Sequence, residues 1–103
     1  MTTMWIDNQQ EFGVGDMAFL IEFCNTNTGA SQYMLRNQPA YTNVSREPRL
    51  RGWCGSDNNV STTGVGVYRV IRIAKSGRYF MEEVRSDELR EFLEEMGYPE
   101  LIP

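Results

Sequence analysis

Residues 13–24 read Gly-Val-Gly-Asp-Met-Ala-Phe-Leu-Ile-Glu-Phe-Cys, a glycine-rich entry into an apolar stretch. Every second residue from 17 to 23 is a large apolar one, and this period of two predicts a strand with one strongly apolar face over a core. A run of turn formers follows at 25–29, and residues 30–36 fit a second strand. The two segments are expected to form the first hairpin of a β-rich domain.

Three later segments also indicate strands. Residues 49–54 alternate in character, with Arg49, Arg51 and Trp53 on one face. Residues 65–74 fit both a helical stripe and a β-branched strand. Strand is favoured there because glycines are poor at a helix start and because a tight turn with glycine at its left-handed position leads into residues 79–84.

Two polar segments and one amphipathic segment complete the chain. Residues 37–48 and 55–64 are expected to be surface loops, and the first is long enough to be a place where binding residues often lie. Ser86 or Asp87 is expected to cap a helix that stops at Gly97. The apolar stripe of this helix comprises Leu89, Phe92, Leu93 and Met96, and its acidic outer face comprises Glu88, Glu91, Glu94 and Glu95.

These elements predict a mainly β (α+β) fold for residues 1–103 as a single domain. We expect a small antiparallel β-barrel or a strongly bent sheet of five or six strands with one C-terminal α-helix. The entry Val14-Gly15-Asp16 into an apolar strand resembles the opening of SH3-like barrels, where a glycine-aspartate turn starts a core strand. The resemblance covers roughly ten residues and carries no functional residues with it.

Charge is segregated along the sequence. Residues 1–29 contain four acidic and no basic groups, a charge of -4. Residues 30–80 hold eight basic against two acidic groups, giving +6, and the remainder holds eight acidic against two basic groups, giving -6. A domain built in this way is expected to present an arginine-rich face and an acidic helical face, and such fields steer partners.

Composition argues against most kinds of enzyme. The chain has no histidine, which removes the commonest general base and the usual imidazole metal ligands. Cys24 and Cys54 lack a recognisable base and are expected to be reduced thiols. We therefore expect no catalytic residues, no metal and no cofactor. The sequence shows no export signal and no apolar segment of membrane-spanning length, so a cytoplasmic location without membrane contact is expected.

Arginines beside an aromatic residue mark the candidate binding surface. Nine of the ten basic residues are arginine, which suits bidentate contact with phosphate or carboxylate and stacking on rings. The candidate binding residues are Arg46, Arg49, Arg51, Trp53, Arg69 and Arg72. The competing interpretation is structural: Trp53 is a core or rim residue, and the arginines pair with the acidic helix.

Three functions remain open on this basis. The first is a non-catalytic binding module that recognises a protein partner or its own copy through charge-segregated surfaces, and a homodimer is expected. The second is single-stranded nucleic-acid binding by the arginines and Trp53, which the overall acidity disfavours. The third, a small-ligand carrier or enzyme with a pocket under the long loops, ranks lowest because no catalytic constellation is recognisable.

Overall fold

The computed structural model describes residues 2–7, 11–43 and 47–103. Within these ranges the elements along the chain are β1 (Thr3–Ile6), β2 (Met17–Asn25), β3 (Ser31–Arg36), β4 (Gly52–Asp57), β5 (Val60–Ile73), β6 (Tyr79–Glu83), α1 (Ser86–Met96) and a 3-10 turn (Pro99–Leu101). The strands form one antiparallel sheet with the main order β1-β6-β5-β2-β3. β4 pairs with the first part of β5, on the edge that β6 occupies further along.

The sheet curls around an inner cluster of apolar side chains. That cluster draws on every strand of the main path and comprises Ile6, Ala18, Leu20, Leu35, Tyr68, Val70, Tyr79 and Met81. We call the side of the sheet that carries these residues the inner face. β1 and β3 stand at the two ends of the strand order and are not paired with each other among the described residues. The prediction of a strongly bent sheet with one C-terminal helix is therefore confirmed, and the sheet is not closed into a barrel.

The opposite side of the sheet, the outer face, is partly covered by α1. Leu89, Phe92 and Leu93 of the helix are buried against Phe19 and Val67 of the sheet, together with Leu50 and Val84. On the outer face α1 covers Phe19, while Ala40 and Cys54 cover Ile21, so β2 is buried on both sides. Its even residues Ala18 and Leu20 are as buried as Phe19 and Ile21, although the sequence pattern predicted a single apolar face.

Residues 65–74 are strand, as expected, and belong to a strand that begins earlier. β5 runs for 14 residues and carries irregularities near Gly64 and near Ile71. At the first of these, the lack of a side chain on Gly64 lets the backbone of Leu50 approach β5 closely. A Cβ on Gly64 would lie 2.7 Å from the carbonyl oxygen of Leu50. Glycine is thus required where the segment before β4 crosses β5.

The predicted loop at 55–64 is wrong, because this segment is a β-hairpin. β4 extends to Asp57 and β5 begins at Val60, so the predicted strand at 49–54 is displaced toward its C-terminal end. Asn58 and Asn59 connect them with φ values of 50° and 64°. Asparagine tolerates this left-handed region, and two such residues make the short turn that matches the twist of a hairpin.

β1 is a strand that the sequence pattern does not indicate, since four residues are too few for a clear period. It is held by pairing with β6 at the other end of the sequence.

The expected side-chain cap of the helix is absent. Arg85 precedes the first turn of α1 without a side-chain cap, and Ser86 itself has a φ of 57°. Gly97 ends the helix in the left-handed conformation as predicted, whereas Met96 at the end of the stripe remains 39% exposed.

Candidate functional site

The predicted binding residues are divided between the two faces of the sheet. Trp53 is paired with Thr63, which is paired in turn with Glu22. Glu22 lies on the same side of β2 as Ala18 and Leu20, so Trp53 belongs to the inner face. Arg69 and Arg72 are paired with Glu82 and Phe80, which alternate with the inner residues of β6 and so belong to the outer face. Arg49 is exposed next to β4 and forms a backbone bridge with Ala40. Arg46 lies outside the described residues.

Arg51 is held within the chain by a carboxylate that it shares with Arg85. Its Nη2 lies 2.5 Å from Oε2 of Glu83, while Arg85 donates from Nε to Oε1 of the same carboxylate at 2.9 Å. The Glu83 side chain is only 9% exposed. Burial alone would raise the pKa of Glu83, but the hydrogen bonds and charges of Arg85 and Arg51 outweigh it and hold that pKa below its usual value. This cluster ties the residues just before β4 and just before α1 to β6.

Arg69 ties the sheet to α1. Its guanidinium forms ion pairs with Glu88 of the helix and, at 3.6 Å, with Glu82 of β6. One Nη also approaches Sδ of Met17 at 3.5 Å. The structural interpretation, in which arginines pair with the acidic helix, therefore applies to this residue.

Trp53 is not a core residue. Its side chain is 63% exposed, and its indole Nε1 donates to Oγ of Ser61 at 2.8 Å across the β4–β5 pair. Arg51 two residues earlier is also exposed, but its guanidinium is held by Glu83. The indole therefore lies on the surface beside an arginine whose guanidinium is already held by a carboxylate.

A second aromatic–arginine arrangement, which the sequence analysis missed, lies on the outer face. The Trp5 and Phe80 rings are cross-strand neighbours with centroids 5.0 Å apart. The guanidinium carbon of Arg72 lies 5.3 Å from the Trp5 ring centroid and 5.7 Å from that of Phe80. The guanidinium of Arg78 lies over the same indole at 5.5 Å. We call these four residues the Trp5 patch.

The cations of the Trp5 patch are poorly matched by carboxylates. Among the described residues Arg72 has no ion pair, and Arg78 has one, with Asp7, whose Oδ1 is 3.9 Å from Nε. The Asp7 side chain is 90% exposed, so solvent weakens this pair strongly. Lys75 adds a third positive charge in the turn between β5 and β6. The patch therefore presents positive charge on an aromatic base.

The acidic surface of α1 belongs to the same side of the molecule. Asp87, Glu91, Glu94 and Glu95 are exposed, and none of them has an ion pair with a described basic residue. The helix rests on the outer face and is tied to Arg69, which is paired with Glu82 on β6, two residues from Phe80 of the Trp5 patch. Unmatched negative and positive charges are thus presented on the same outer face.

The long loop also borders a cleft of about 290 Å³, which is near the lower end of the range for ligand sites. Ile21, Phe23 and Val60 form its apolar lining. Its charged lining residues are Arg36 and Asp57, and Asp57 accepts a hydrogen bond of 2.9 Å from Asn43. This arrangement lacks a nucleophile beside a base.

Chemically reactive groups are few in the described part of the chain. Both cysteines are free thiols, and burial raises the pKa of the Cys54 thiol, so it stays protonated. Within residues 2–7, 11–43 and 47–103 no group of three acidic, cysteine or histidine side chains is placed to hold a metal ion. No helix in these ranges is both long and apolar enough to cross a membrane.

No protein family model matches the chain, and neither does any curated protein or solved structure. The likeness of the segment around Gly15 to SH3-like barrels therefore stays a prediction from sequence. Function has to be argued from the surfaces themselves.

Proposed function

We propose that this chain is a non-catalytic binding module that recognises a protein partner, or its own copy, through charge-segregated surfaces. The observation that carries the proposal is the Trp5 patch, in which two guanidinium groups lie over one indole. We also propose a cytoplasmic location, which the two free thiols support.

Carboxylate groups on a protein surface are the chemistry that suits this patch. An arginine stacked on an aromatic ring is held in place by its flat face and keeps its N–H edge available for a planar oxyanion. Less side-chain entropy is then lost when the arginine binds. Tryptophan and arginine are also the residues that most often supply binding energy in protein interfaces.

Single-stranded nucleic acid is the second candidate, because arginine beside an aromatic ring also suits phosphates and bases. One feature weighs against it. The Trp5 ring is already covered by guanidinium groups, which occupy the place of a stacked base.

A fluorescence titration separates these two candidates. Trp53→Phe leaves Trp5 as the only tryptophan, so its emission reports the patch. This variant is titrated with an oligo-glutamate peptide and with a single-stranded oligonucleotide of equal charge. We expect saturable, salt-sensitive binding of the peptide. Arg72→Ala should weaken it about tenfold, or about 1.4 kcal/mol, which is a plausible loss for one charged hydrogen bond.

Arg36→Ala is the matched control, because Arg36 is exposed and ends β3, whereas the β3 residues that share a cleft with Trp5 are at the start of that strand. It should leave the peptide affinity unchanged. Tighter binding of the oligonucleotide, with a log-log salt slope of about 0.7 per phosphate, would make nucleic-acid binding the function. A flat Trp5 signal with both polymers would refute the Trp5 patch as a binding surface.

A further inference from the structure

We propose that two copies of this chain pair through their outer faces, with α1 of each copy lying on the Trp5 patch of the other. This inference rests on the proposed function, since it names the partner of the same patch. The two copies are related by a two-fold axis that passes near Arg69. The expected product is a closed dimer.

Adjacency of the two surfaces is the first argument. Arg69 joins Glu88 of α1 to Glu82 of β6, and Arg72 stands three residues further along β5, about 10 Å away by strand geometry. The N-terminal part of α1 and the patch thus lie on one face, with the Arg69 ion pairs between them. A rotation by half a turn about an axis through this boundary exchanges the two surfaces.

The direction of the acidic side chains is the second argument. Asp87, Glu91 and Glu94 recur at i, i+4 and i+7 and form one stripe of α1. Leu89 and Leu93 are buried against the sheet, on the other side of the helix. The stripe therefore points away from the sheet, in the direction in which the outer face itself is presented. A partner approaching that face meets the carboxylates first.

Shape is the third argument. A helix with its side chains is about 10 Å across, so α1 stands as a ridge above the sheet. The Trp5 patch belongs to the sheet itself, on the face above which that ridge stands. A ridge next to a recess fits a second copy turned by a half rotation, because each ridge then enters the other recess. The charges and the shapes of α1 and of the partner copy's Trp5 patch are therefore complementary in the same orientation.

The symmetry follows from this placement. Complementary surfaces on opposite sides of a molecule would add copies head to tail without a limit, whereas neighbouring surfaces on one face satisfy each other in pairs. Each dimer contains the helix–patch contact twice. A change that reverses one surface therefore acts on both contacts at once.

Sedimentation equilibrium of charge-reversed variants tests the pairing. The patch variant is Arg72→Glu with Arg78→Glu, and the helix variant is Glu91→Arg with Glu94→Arg. Each should raise the dimer dissociation constant about 100-fold or more, since four attractions become repulsions. An equimolar mixture of the two should form heterodimers with affinity near that of the wild type, which also shows that both variants are folded.

The matched control is Arg36→Glu with Arg49→Glu, which changes the net charge as the patch variant does at two other exposed arginines. It should leave the dissociation constant unchanged. Failure of the mixture to associate would overturn the inference, and so would a wild-type chain that stays monomeric at high micromolar concentration. If Trp5 of that monomer still responds to the acidic peptide, the binding function stands and its partner is another protein. Larger assemblies that grow with concentration would refute the two-fold arrangement.

Discussion

Glu83 is the carboxylate whose surroundings are most fully defined, with Arg51 and Arg85 on its two oxygens. Its neighbour Tyr68 responds to the same cluster: burial first, and then the charge of Glu83, raise the pKa of that phenol. The ionised carboxylate and the neutral phenol are thus the forms that the folded chain favours. The free energy of unfolding therefore depends on pH through Glu83 at acid pH and through Tyr68 at alkaline pH.

The first residue-scale prediction concerns acid stability. The pKa of Glu83 is lower in the folded chain than its ordinary value of 4.5, so its contribution is complete above that value and is lost as the pH falls through the folded pKa. Glu83→Gln should cost about 1–3 kcal/mol at pH 7. Urea unfolding at pH 7 and pH 3 measures this, and the difference between variant and wild type should shrink at pH 3. An equal difference at both values would contradict the assignment.

The second residue-scale prediction concerns how little Trp53 contributes to the free energy of unfolding. Because the side chain is 63% exposed, Trp53→Ala should lower the free energy of unfolding by less than about 1 kcal/mol. Phe19→Ala, at a fully buried position, should cost about 3–5 kcal/mol. Chemical denaturation of the two variants gives both numbers. A core-sized loss for Trp53 would show that it packs against the rest of the chain.

At the scale of single elements, Gly64 gives the sharpest prediction. Gly64→Ala would bring a Cβ to 2.7 Å from the Leu50 carbonyl oxygen and 2.9 Å from that of Arg49. Both obstacles are backbone, so we expect a loss of about 1–3 kcal/mol in the free energy of unfolding. Gly13→Ala is the control, since its Cβ would meet nothing nearer than a side-chain oxygen at 3.8 Å. Equal thermal midpoints for the two variants would contradict a close crossing.

Elements with strong local patterns could be predicted from the sequence, and the others depend on distant parts of the chain. β2 and α1 carry clear periods, and Gly97 ends the helix as its position implies. β1 has four residues and is a strand because β6 pairs with it. The hairpin at Asn58 reads as a loop because serine, threonine and asparagine favour turns, while here two asparagines make the turn and the threonines lie in the strand.

The candidate site was predictable in its residue types and not in its location. The sequence analysis named arginine beside tryptophan as the candidate surface, but in the pair nearest in sequence, Arg51 and Trp53, the arginine is held by Glu83. The arrangement in which arginine charge is least matched joins Trp5 of β1 to Arg72 of β5 and to Arg78, which precedes β6. Contacts of this kind follow from strand order, which no local pattern carries.

At the scale of the whole molecule, the curl of the sheet accounts both for its unpaired edges and for the position of α1 and the Trp5 patch on its outer face. The inner cluster holds the sheet in a curl, and the outer face is left for α1 and the Trp5 patch. A closed barrel would leave no free strand edges, whereas here β1 and β3 both end the sheet. Both edges carry polar or short strands, which limits unwanted pairing with other chains.

The pairing of β1 with β6 also sets an order of events during synthesis. Residue 3 is paired with residue 82, so β1 has no partner until the residues up to β6 have also left the ribosome. Contacts between such distant residues carry a high loop-closure cost and slow folding. The β2–β3 and β4–β5 hairpins are local and can form first. Trp5 therefore meets Arg72 and Arg78 only when β1 docks on β6, and the Trp5 patch is assembled after the local hairpins.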